Sequence, residues 1–136
     1  MSDTIRAALK RLSQALQELH RDLLMLQARS LATENGKAIN PYELLRASLH
    51  DPAFAWLRKM STLIVHIDTI VDEVENLSGR ETNEIADLVL ALIEKPEPKV
   101  DQEFWDRYSA HLSSNPDIIM KHSKVKELLS ALRPNF

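Results

Sequence analysis

Cysteine is absent from the 136 residues, and glycine occurs only twice, at Gly36 and Gly79. No disulfide framework and no thiolate-ligated zinc can form. Two glycines so far apart cannot build a phosphate-cradling loop, which needs several within one turn. Long apolar runs are missing too. Leu63-Ile64-Val65 is broken by His66, whereas a membrane-spanning helix needs about 20 apolar residues in succession. Neither sign of charge dominates, with 17 Lys and Arg against 20 Asp and Glu, a net of −3. A nucleic-acid surface selects a basic excess that this chain lacks, so neither nucleic acid nor membrane is an expected partner. The hydrophobic share of 44% and charged share of 27% are those of a folded protein, which excludes global disorder. The opening Met1-Ser2-Asp3-Thr4 carries neither the basic nor the apolar region of a signal peptide, so the expected location is the cytoplasm.

What is present is helical periodicity. Ile5, Leu9, Leu12, Leu16, Leu19, Leu23 and Leu26 alternate at spacings of four and three, the signature of one apolar seam on a helix. The spacing predicts a first helix from about Thr4 to Glu34, capped by Ser2 or Asp3 and ended by Asn35-Gly36. Asn40-Pro41-Tyr42-Glu43 is a cap, a proline at the first helical position and a carboxylate at the third, which starts a second, short helix. Asp51-Pro52 repeats that signal and opens a third helix, expected from about Pro52 to Leu77. Its seam is Leu57, Met60, Ile64, Ile67, Val71 and Val74, with Trp56, Leu63, Ile70 and Leu77 as a second stripe beside it. Seven β-branched residues between Thr62 and Val71 favour a strand locally, but the helical spacing outlasts them and decides the assignment.

Ser78 and Glu81 form a capping box for a fourth helix, about Arg80 to Glu94, with Ile85, Leu88, Val89, Leu92 and Ile93 expected inward. Lys95-Pro96-Glu97-Pro98-Lys99 reads as a linker, because two prolines remove backbone donors and favour extended chain. Asp101 is the expected cap of a fifth helix, and Asn115-Pro116 starts a sixth with Ile118, His122, Val125, Leu129 and Leu132 on one stripe. The expected fold is all-α: a bundle of about six helices with long first and third members. Residues 1–94 would form a four-helix body, residues 95–100 a Pro-rich linker, and residues 101–136 a helical pair packing back on the body within a single domain.

Chemistry-bearing motifs are scarce. None of the five histidines has a carboxylate or another histidine three or four residues away, the spacing that lets one helix face share an ion. A metal site would have to gather histidines from several helices. No Gly-x-Ser-x-Gly elbow occurs, and the acidic pairs Asp72/Glu75 and Glu84/Asp87 fall on polar helix sides. No catalytic residue and no cofactor are therefore expected. The residues singled out as interaction or ligand contacts are Phe54, Trp56, Phe104, Trp105, Tyr108 and His122: the two aromatic clusters and the one histidine inside an apolar stripe. For each, burial as core competes with exposure as an anchor, and for His122 the core alternative is a hydrogen bond to a carbonyl or carboxylate. Charge is unevenly placed, since residues 61–94 hold eight acidic side chains against Arg80 alone. That asymmetry either fastens the bundle to itself or steers a basic partner.

The stretch LHDPAFAWLRKMSTLIVHID, residues 49–68, resembles uncharacterised bacterial all-helical proteins, and the resemblance implies a bacterial origin. The expected function is that of a non-enzymatic helical interaction or regulatory module, with another protein or a second copy of the chain as partner. The two alternatives are a helical-bundle metal-binding protein using histidines from several helices, and a small apolar-ligand carrier with its cavity under Trp56 or Trp105.

Overall fold

The computed structural model describes residues 2–36, 40–94 and 102–132. Six α-helices succeed one another: α1 Ser2–Asn35, α2 Pro41–His50, α3 Arg58–Glu73, α4 Gly79–Ile93, α5 Gln102–Ser114 and α6 Pro116–Leu132, with a 3-10 segment, Pro52–Leu57, leading into α3. The protein is all-α, its six helices packed as a bundle, with a long first helix and a long third helix that continues from the 3-10 segment.

The heptad seam of α1 is the axis of the core. Leu9, Leu12, Leu16, Leu19 and Leu23 are completely covered, and Ile5 and Leu26 pack at the two ends. Gly36 ends the helix at φ 73°, a left-handed conformation that side chains with a Cβ resist. α1 lies between α3 and α6, and α4 bridges α3 to α6 on the far side. Polar contacts fix the direction of each pair. Arg6 donates to the Val74 carbonyl at 2.8 Å, Ser13 to Asp68 Oδ1 at 2.6 Å, and the Trp56 indole to Gln27 at 3.1 Å. The partner number falls as the α1 number rises, so α1 and α3 run antiparallel. His66 beside Glu84 sets α3 against α4 in the same sense. Lys121 ion-pairs with Asp22 at 2.5 Å where α6 crosses α1.

The starts of α2, α4 and α6 follow the sequence signals, whereas α1 begins at Ser2, so that Asp3, one of its two expected caps, lies inside the helix. The Asn40 side chain accepts from the Glu43 amide at 2.8 Å, Ser78 and Glu81 close a reciprocal capping box, and Asn115 accepts from the amides of Asp117 and Ile118. Helix three departs from expectation at both ends. Its first six residues wind as a 3-10 helix with Phe54, Trp56 and Leu57 all buried, because the Asp51 carboxylate holds the Ala53 amide at 2.9 Å and tightens the entry. Its last turn stops at Glu73, four residues short of Leu77. There Arg6 takes the carbonyls of Val74 and Glu75, and the Ser78 box begins the next helix. Two competing polar anchors a few residues apart leave no room for another helical turn.

α2 is the peripheral element. None of its residues is fully buried; Leu44 and Ala47 lean on the core while Tyr42, Leu45 and Leu49 face outward. Arg58 ties its end down by donating to the carbonyls of Ser48 and Asp51 at 3.2 and 3.1 Å. The Pro-rich stretch 95–100, the expected cap Asp101 and the chain end 133–136 lie outside the described residues. Among the described residues no helix is long and apolar enough to cross a membrane.

Candidate functional site

Five of the six residues singled out from sequence belong to the core or line it. Phe54, Trp56, Phe104 and Tyr108 are buried, Trp105 is half-buried against them, and His122 sits at the core edge. Four of them join into one aromatic array. Trp56 and Phe104 have ring centroids 5.5 Å apart, Phe104 and Tyr108 the same separation, and Tyr108 and His122 5.7 Å. His111, which the sequence left aside, extends the array by stacking on Trp56 at 6.0 Å and 16°. Phe54 and Trp105 have no ring partner in this array. The array welds the 3-10 segment to α5 and α6, since offset and tilted ring pairs add stabilisation beyond their buried area.

Electrostatics at its inner end are settled by burial. Tyr108 Oη lies 2.7 Å from His122 Nδ1. Burial first, and Glu94 second, push the phenol above its ordinary range, so it keeps its proton. Burial also lowers the His122 imidazole below 6.5; Glu94 opposes that effect and Lys126 reinforces it. A protonated phenol facing a neutral ring donates, so Nδ1 accepts and the ring proton resides on Nε2. The partner of His122 is thus a phenol, not the carbonyl or carboxylate expected from sequence. Glu94 and Lys126 pair beside it.

Among the concave surfaces open to solvent, two adjoin helix three and the 3-10 segment that leads into it. One is a groove of about 380 Å³ between α3 and α4, with Leu63, Leu88 and Leu92 as its apolar floor and Lys59, Thr62 and His66 along one wall. Leu88 was expected inward but is 41% exposed. α4 turns Ile85, Ala86, Val89 and Ile93 toward the core, and Leu88 lies just off that stripe. The sequence carried a signal for this groove: the second stripe of helix three makes its apolar face wider than one neighbour covers.

The other surface is a cleft of about 390 Å³ between α1, the 3-10 segment and α5. Gln27, Ser30, Arg107 and His111 give its polar lining, and Trp56, only 2% exposed, forms its floor. Arg107 and His111 are one turn apart on α5. That pairing is visible in the sequence, but a search for metal ligands passes over it because it contains no carboxylate.

Among the described residues no three His, Asp or Glu side chains come close enough to hold a metal ion. His66 Nε2 and Glu84 Oε1 approach to 3.4 Å on the exposed rim of the α3–α4 groove. Comparison with family models, with curated proteins and with solved structures returns no match, so residues 49–68 stand as a helical segment with no family assigned to them.

Proposed function

We propose that this protein is a helical interaction module that docks an amphipathic, basic helix of another protein into the α3–α4 groove. One observation carries the reading: Leu88, exposed on the groove's leucine floor, lies within the segment that concentrates the chain's negative charge. Residues 61–94 carry eight acidic side chains and a single basic one. Within the protein that charge is only partly spent. Glu94 pairs with Lys126, and Asp68 accepts from Ser13, while Asp72 and Glu73 face no cation among the described residues. An apolar groove between two helices of an acidic segment, with Lys59 and His66 on its wall, fits a helix with leucines on one face and lysines or arginines flanking them that reach the segment's carboxylates.

The test is titration with a synthetic helix of about 18 residues, leucine on one face and lysine on the other, against its glutamate counterpart. The lysine helix should bind at about 1–10 μM and weaken as salt rises. Leu88→Glu should weaken it about tenfold with melting unchanged, because Leu88 is already exposed. Equal binding of the glutamate helix, or indifference to Leu88→Glu, would overturn the reading.

A further inference from the structure

We infer that the cleft between α1, the 3-10 segment and α5 binds a small organic anion, its head group held by Arg107, His111 and the Gln27 amide and its compact apolar body resting on Leu26, Ala53 and Ala110. The cleft shares no lining residue with the α3–α4 groove. Its volume of about 390 Å³ lies within the range of small-molecule sites.

The polar lining of the cleft is richer in donors than in acceptors. An indole N–H only donates, so the 3.1 Å bond from Trp56 Nε1 assigns the oxygen of Gln27 to the indole and leaves its NH₂ group as the free end. Arg107 carries five donors and no acceptor, and it pairs with no carboxylate among the described residues. His111 lines the cleft while its ring stacks against Trp56. Ser30 is exposed beside them and donates or accepts as needed. No Asp or Glu lines the cleft among the described residues.

A neutral apolar ligand would cover the guanidinium and the amide without pairing them, which costs free energy. A carboxylate or similar anion satisfies both, and its hydrogen bonds are strengthened by charge on both sides. The apolar body follows from the remaining wall: two alanines and a leucine with room beside them.

The probe is 1-naphthoate, with 1-naphthalenemethanol as its neutral counterpart. The readout is the Trp56 indole N–H resonance, assigned with Trp105→Phe. Naphthoate should shift that resonance saturably with a Kd below about 1 mM. The alcohol should bind about tenfold more weakly, and Arg107→Gln should weaken naphthoate about tenfold while leaving the melting temperature unchanged. No saturable shift up to about 10 mM naphthoate, or equal binding by the alcohol or by Arg107→Gln, would overturn the assignment.

Discussion

Single residues in this protein are held by polar contacts whose loss has definite consequences. Ser13 is almost wholly buried on α1, donates to Asp68 at 2.6 Å and accepts from Gln17 at 3.0 Å. Ser13→Ala leaves a half-buried carboxylate short of a donor and should cost about 1–2 kcal/mol, measured by urea denaturation. Gly36 stands at φ 73°, and a Cβ there meets open space. The penalty of Gly36→Ala is therefore purely conformational, about 1 kcal/mol in the same assay. Histidines supply a pH dependence. Burial lowers the imidazoles of His20, His111 and His122 below 6.5, with a backbone hydrogen bond to Leu57 opposing the effect at His20. The unfolded chain then binds more protons than the folded one just below that value. The contribution is complete above the unfolded pKa and is lost as pH falls toward the folded values. The urea midpoint should fall from about pH 7.5 to about pH 5, and His122→Gln should remove part of the fall. Protonating His122 also takes away the acceptor for the Tyr108 hydroxyl, so the Tyr108 environment should change in the same window.

Elements show which sequence signals suffice and which do not. The seam of α1 needed nothing but its own spacing, because one face of a long helix is buried whatever covers it. Leu16→Ala removes a completely covered side chain and should cost about 3 kcal/mol. The box at Ser78 and Glu81 was equally legible, being a local exchange of hydrogen bonds. Ser78→Ala should cost about 1 kcal/mol. The ends of helix three were not legible, since they depend on Asp51 at one end and on Arg6 of α1 at the other, the latter nearly seventy residues away in sequence. The inward expectation for Leu88 failed for a related reason. Periodicity gives the width of an apolar face but not where its neighbours sit, and α4, packed against α3, α5 and α6, leaves Leu88 outside those contacts. Of the six residues singled out as interaction or ligand contacts, Phe54, Trp56, Phe104 and Tyr108 are buried and hold the protein to itself. Trp56 lines one open surface; Leu88, Leu92, Arg107 and His111, which also line them, are ordinary residues made notable only by packing.

At the scale of the whole molecule, charge and shape separate into two faces. One is the α3–α4 surface, with a leucine floor and Lys59 and His66 on its wall; the other is the cleft against the aromatic array, lined by Gln27, Arg107 and His111. The array holds α5 and α6 to the 3-10 segment, so the cleft is built on packed elements and should keep its shape on binding. The central claim concerns the first face, and site-specific photo-cross-linking in the cells of origin tests it most directly. A photoreactive residue is placed at Leu88, with Ser130 on the exposed side of α6 as control. The account predicts an adduct at position 88 alone, whose captured peptide is basic with leucines at helical spacing, and which is lost when Leu92→Asp is added. An adduct shared equally by position 130, a captured peptide that is acidic, or capture of a second copy of this chain would contradict it.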